Sequence, residues 1–145
     1  MTGSEKALTT RLCKHLKTLN LDPVRIENVA GQGTPDINLS TGAWIEAKYA
    51  PRWPVNSGCF LKLPHPVDRS QKAWLLRRSA AYDGRCFVCL QVDRDYLLFD
   101  AQTALKVLGK CTRAQLITIA MFHATSKDLL DKLAEVFGEF SIYDH

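Results

Sequence analysis

Thr34-Pro35-Asp36-Ile37-Asn38-Leu39, then Ser40-Thr41-Gly42, then Ala43-Trp44-Ile45-Glu46-Ala47-Lys48-Tyr49 is the stretch on which the reading of this chain turns. Two extended runs around a short link containing glycine predict a β-hairpin. Glu46 and Lys48 are two apart on a strand and project from one face. An antiparallel return through Ser40–Gly42 brings Asp36 opposite Glu46. Ile37, Leu39, Ile45 and Ala47 take the other face. The hairpin therefore gathers two carboxylates and one ammonium on a single patch. Adjacent carboxylates repel and are costly unless a cation neutralises them. An all-oxygen donor set favours Mg²⁺, with Mn²⁺ as its natural substitute. The bland alternative is an exposed hairpin face on which Glu46 and Lys48 simply pair.

Working outward, Thr2 to Leu19 carries Leu8, Leu12, Leu16 and Leu19 at helical spacing, and Asn20-Leu21-Asp22-Pro23 ends it. Val24 to Val29 reads as a strand, and Gly31-Gln32-Gly33 as a flexible turn. Residues 50–66 hold four prolines and predict a long loop. A second helix is predicted from Asp68 to Tyr82, then a hairpin of Arg85–Val92 and Tyr96–Phe99. The remainder reads as helical: Ala101–Leu108, Arg113–His123, and Lys127–Phe137 behind an N-cap at Ser126. The predicted class is α/β (α+β): a mixed central sheet flanked by helices. It forms one domain over residues 1–145, with a core to about residue 100 and a helical extension beyond.

Charge is unevenly spread. Residues 1–78 carry 12 Lys/Arg against 6 Asp/Glu, and residues 79–145 carry 7 against 9. The segment Lys48–Arg78 has seven basic residues and one acid, which suits a polyanion such as a phosphate backbone. No apolar run approaches the roughly 18 residues of a membrane helix. The first residues lack the apolar core of a signal peptide, so a cytoplasmic protein is expected. Five cysteines, an odd count, argue against a disulfide framework. Cys86 and Cys89 sit three apart on a predicted strand, point to opposite faces and make a poor zinc clip. No dinucleotide, P-loop or nucleophile-elbow motif occurs.

Pro35-Asp36, nine intervening residues, then Glu46-Ala47-Lys48 resembles the signature of PD-(D/E)xK nucleases. With Gly31, Gly33 and the Gly33-Thr34-Pro35-Asp36 tetrapeptide, the chain is similar to Holliday-junction resolvases of the RecU kind and to phage and VRR-NUC-type endonucleases. The likeness covers about residues 1–92. It implies a restriction-endonuclease-like αβββαβ core, Mg²⁺ dependence and hydrolysis of DNA phosphodiester bonds. It also implies a bacterial or phage-infected host cell, with a role in DNA recombination, repair or phage DNA processing.

The same resemblance assigns roles. Asp36, Glu46 and the carbonyl of Ala47 would hold the metal, and Lys48 would position the attacking water. Glu5 in the first helix matches a further family acid, with Thr2/Glu5 as a capping box the competing reading and Glu27 the competing acid. Gln71 matches a glutamine that helps place the water, or else caps its helix with Asp68. Arg52, Trp53, Lys62, Arg69 and Lys72 are the expected DNA contacts, although Trp53 and Phe60 could instead pack the loop down. His65 reads as a loop histidine, and His15 and His123 as structural. The substrate implied is branched DNA cut by a homodimer; the stripes Leu116–Phe122 and Leu129–Phe137 read as core, with a dimer interface the alternative. The alternatives are a sequence-specific restriction-like or nicking nuclease, and a non-catalytic DNA-binding module on the same fold.

Overall fold

The computed structural model describes residues 3–26, 33–81 and 84–138. The elements run α1 (Glu5–Thr18), β1 (Val24–Arg25), β2 (Ile37–Asn38), β3 (Trp44–Ala50), α2 (Arg69–Ala80), β4 (Cys86–Val92), β5 (Asp95–Asp100), α3 (Ala101–Val107), α4 (Arg113–Ile119), β6 (Phe122–Ala124) and α5 (Leu129–Phe137). The strands form one six-stranded sheet in sequence order, β1 to β6. Only β3 and β4 run parallel, joined by the α2 crossover, and every other neighbouring pair is antiparallel. This is the predicted α+β class with a mixed sheet. No helix among the described residues is long and apolar enough to cross a membrane.

Each face of the sheet has its own apolar layer. Alternation along β3 sends Ile45 and Ala47 to one layer, with Leu8, Leu12 and Leu16 of α1 and Leu129, Leu133 and Phe137 of α5. Ala50, Val88 and Leu90 join the other, with Trp74 and Leu75 of α2, Ala101 and Ala104 of α3, and Leu116 of α4. Both faces are covered, so β4 is buried at all seven positions. Cys86 and Cys89 fall in opposite layers, and all five cysteines are free thiols.

The last third departs from its all-helical expectation. Arg113–His123 was expected as one helix, but α4 stops at Ile119 and Phe122–Ala124 pairs with Tyr96–Leu98 as β6. The reason is tertiary: β5 offers a free edge, and pairing with it outweighs the helical spacing. Leu116, Leu129, Leu133 and Phe137 are core, while Ile119 and Met121 are exposed. The final helix begins at Leu129 rather than behind Ser126, because the Asp128 carboxylate turns back to accept from the Thr125 amide at 2.7 Å.

The long loop is tied down at its start. Trp53 Nε1 donates to Asp95 Oδ2 at 2.7 Å, His123 Nε2 lies 2.7 Å from Asp95 Oδ1, and the Arg113 guanidinium stacks 5.2 Å over the Trp53 ring. One carboxylate thus joins the loop, β5 and β6. Burial pushes the Asp95 acid up, but the His123 and Trp53 contacts outweigh that and hold its pKa below the ordinary value.

Candidate active site

The hairpin forms as expected, though β2 is shorter than the run that predicted it. Gly42 takes φ 90° at the turn, and Ile37 pairs with Ile45. The next cross-strand position sets Asp36 beside Glu46 on the α2 side of the sheet. Asp36 Oδ2 accepts from the Ala47 amide at 2.8 Å. Within a strand, the amide and carbonyl of one residue point to the same edge. The Ala47 carbonyl therefore faces the same side as Asp36, beyond the last β2 pair.

Glu46 and Lys48 are not on an exposed face. Each is only 2% exposed, held between β3 and α2. Lys48 Nζ lies 3.4 Å from Glu46 Oε2. It also donates to Gln71 Oε1 at 3.1 Å, while Gln71 Nε2 donates to the same Glu46 oxygen at 2.9 Å. Trp74 and Leu75 press α2 onto the sheet, and Trp74 meets Trp44 edge-on at 4.9 Å. Gln71 precedes Trp74 by almost one helical turn and so faces the sheet as well. The two readings of Gln71 are both true. Its Oε1 also accepts from the Asp68 amide, and Asp68 accepts from the Gln71 amide, which completes a capping box.

Gly33 holds the approach to this centre. Its φ is 84°, and a Cβ there would fall 2.3 Å from the Ser70 carbonyl oxygen and 2.9 Å from the Gln71 amide nitrogen. Sequence suggested only flexibility at this position, whereas the missing side chain lets the Thr34–Asp36 segment lie against the first turn of α2. Gly33→Ala should cost about 2–3 kcal/mol of stability, measurable by urea unfolding, because it combines left-handed strain with a backbone clash. It should also displace Asp36 relative to Gln71.

The acids carry the electrostatic signature of crowding. Burial raises the Glu46 acid to about 8, the Asp36 charge adds to the rise, and Lys48 opposes it. Asp36 is also raised, by burial first, against the Ala47 hydrogen bond and Lys48. Glu5 is raised by burial and feels Lys48, Asp36 and His65, and among the described residues no group reaches its buried Oε2. Thr2 lies outside the described residues, and the helix cap is Ser4, whose Oγ accepts from the Ala7 amide at 2.9 Å. Glu5 is thus not needed as a cap. Glu27 also lies outside the described residues.

A raised Glu46 predicts a definite pH response. The metal-free fold keeps a proton that the unfolded chain releases near 4.5, so unfolding loses protons between there and about 8. Stability from this group is complete below the lower value and declines as pH rises through the upper one. The decline is on the order of 5 kcal/mol. Urea unfolding in a chelator at several pH values should show the slope, and Glu46→Gln should flatten it.

The residues present suit a hard cation. Two carboxylates and a carbonyl on the same side offer oxygen-only donors, and the third acid, Glu5, is near enough to feel Asp36 electrostatically. Among the described residues, no three acid, histidine or cysteine side chains close into a complete cage. A site with one or two protein carboxylates and room for water is what Mg²⁺ accepts. The expected DNA contacts divide. Arg52 and Lys62 are exposed beside one hollow of the loop, and Arg69 and Lys72 are exposed on α2. Trp53 is occupied by Asp95 and Arg113, so it anchors the loop. Phe60, read as a packing residue, is instead 52% exposed in the hollow with Arg52 and Lys62.

Among solved structures, the chain is similar to Hjc of Archaeoglobus fulgidus, a Holliday junction resolvase from an archaeal hyperthermophile, with a TM-score of 0.56. The two share a fold. The match covers 90% of this chain and 98% of that one at 15% sequence identity. At that coverage it extends beyond residue 92, where the sequence likeness ended, so the shared architecture takes in part of the C-terminal third. No family model matches the chain, and no curated protein matches it.

Proposed function

We propose that this protein is a divalent-metal-dependent DNA endonuclease that acts on branched DNA as a homodimer. The observation that carries the reading is the buried Glu46 beside the half-buried Asp36, set against Lys48 and Gln71. The fold shared with a junction resolvase supports it, as does the basic segment Lys48–Arg78.

Asp36, Glu46 and the Ala47 carbonyl would hold Mg²⁺ or Mn²⁺, with Glu5 completing the set. The bound ion would supply charge stabilisation at the phosphate and a readily ionised water. The Lys48 side chain would stand beside the phosphate, where negative charge accumulates in the transition state. Gln71 fixes the Lys48 ammonium and one Glu46 oxygen at once, leaving the second Glu46 oxygen for the metal side. The water oxygen adds to phosphorus and gives up a proton to solvent, the bond to the 3′ oxygen breaks, and that oxygen takes a proton from solvent and leaves as a hydroxyl, with a 5′ phosphate on the other fragment. Arg52, Lys62, Arg69 and Lys72 line the approach of the backbone. Cutting two opposed strands needs two centres, which a two-fold pair of chains supplies.

The test is cleavage of a four-way junction, a nicked duplex and a linear duplex by the full chain, with Mg²⁺, Mn²⁺ or chelator. Metal-dependent cuts in the junction, about tenfold or more faster than in linear duplex, are expected. Cuts confined to particular sequences of plain duplex would establish the restriction-like alternative instead. Metal binding without cleavage of any DNA, or neither, would leave a DNA-binding module. Sedimentation at working concentration reads the dimer.

A further inference from the structure

On the opposite face of the sheet from Gln71, a cleft of about 990 Å³ opens between α1, the β4–β5 turn and the loop leading into α5. Its charge is one-sided. Arg11, Arg94 and Lys127 line it against a single acid, Asp93. Among the described residues, none of the three cations is in an ion pair. Asp93 holds φ 52° at the tip of the turn, a conformation that aspartate tolerates and that sets Arg94 at the cleft. Arg11 is pre-positioned: it donates to the Tyr96 hydroxyl and lies 5.7 Å over that ring.

The decisive group is Gln91. Its residue is only 6% exposed, and it lines the cleft. Its Nε2 donates to the Asp93 carbonyl at 2.9 Å, which fixes the amide orientation. Its Oε1 is buried, and no protein group among the described residues reaches it. A buried acceptor without a donor is costly unless a ligand or water supplies one. The cleft therefore wants an anion at its cationic rim and an N–H donor at its floor, with the phenol of Tyr49 on its wall. A nucleotide has that chemistry: a phosphate for the guanidinium groups, a flat base for the aromatic wall, and a ring or exocyclic N–H for Gln91. The volume is ample for one nucleotide.

The cleft lies across β3 from the acids. Tyr49 follows Lys48 directly in β3, and its side chain points to the other side of the sheet. Gly3, two residues before Glu5, lines the cleft, and a Cβ on it would strike the Tyr49 hydroxyl at 2.0 Å. We propose that this cleft receives one unpaired nucleotide of the DNA substrate, with its phosphate on Arg11, Arg94 and Lys127 and its base on Gln91 Oε1. The inference rests on the nuclease reading for its source of nucleotide, and it makes an extrahelical base at a branch point part of what is recognised.

The experiment is fluorescence anisotropy of the full chain in chelator, where no cleavage intervenes. Three labelled duplexes are compared: fully paired, with a single-nucleotide bulge, and with the bulged residue abasic. The bulged duplex should bind about tenfold tighter than the other two, the range expected for one seated base. Arg94→Ala/Lys127→Ala and, separately, Gln91→Met should erase that preference. Deoxynucleoside 5′-monophosphate should displace the bulged duplex where equal inorganic phosphate does not. Equal binding of the bulged and paired duplexes overturns the proposal, even if free nucleotide binds. So does an abasic bulge that binds as well as the intact one, or displacement by phosphate alone. The wild-type comparison decides the matter even if a variant fails to fold. Asp36→Asn should keep the bulge preference, so failure of the catalytic assignment and failure of this site remain distinguishable.

Discussion

Exchanging Lys48 for methionine should leave a folded protein whose metal-supported cleavage has fallen by at least about 10³-fold. Lys48 is 2% exposed, and its ammonium sits 3.4 Å from Glu46 and 3.1 Å from Gln71. Methionine fills the same channel without charge. Removing one partner of a buried ion pair usually strands the other at a cost of about 3–5 kcal/mol. Here that cost is relieved, because burial already favours the neutral form of Glu46 and loss of Lys48 favours it further. Urea unfolding at pH 6 should therefore shift by less than about 2 kcal/mol. Single-turnover cleavage in Mg²⁺ reads the activity. Wild-type rates would remove Lys48 from the chemistry, and an unfolded variant would recast it as a structural residue.

Asp36→Asn is the second large effect, and its two readouts should move in opposite directions. Asparagine keeps an oxygen to accept from the Ala47 amide, a bond of 2.8 Å in the native side chain. It removes the charge that helps raise Glu46. The fold should be as stable as wild type or more so, since a like-charge contact disappears. Cleavage should drop by about 10³-fold or more, and Mn²⁺ titrated calorimetrically should lose its binding heat. Retained metal binding with lost cleavage would place Asp36 beside the water rather than on the ion.

Much of this was legible in the chain, for reasons that differ by residue. The Asp36–Glu46–Lys48 grouping follows from a period of two and one turn, both local, and the hairpin formed in the implied register. Gln71 was legible as a candidate, but its two competing roles could not be ranked, because a capping glutamine and a site glutamine occupy the same helical position. Nor could local pattern show that Glu46 and Lys48 would be covered, since burial depends on Trp74 and Leu75 arriving from α2. β6 was hidden because Phe122-His123-Ala124 is short and continues a helical spacing; only the vacant side of β5 makes it a strand. Trp53 and Phe60 could not be told apart for a similar reason. Both are aromatic loop residues, and the partner that separates them, Asp95, lies some forty positions away in sequence.

The shared duty of Gln71 has a kinetic corollary. The side chain that winds the opening turn of α2 is the one that clamps the ammonium to the acid, so the turn and the charged cluster assemble or come apart together. If that turn frays, the centre disarms, and amide exchange at Ser70–Lys72 would report the fraction of molecules ready to cut. A DNA backbone seated on Arg69 and Lys72 would tighten the same turn, so the substrate itself would arm the enzyme.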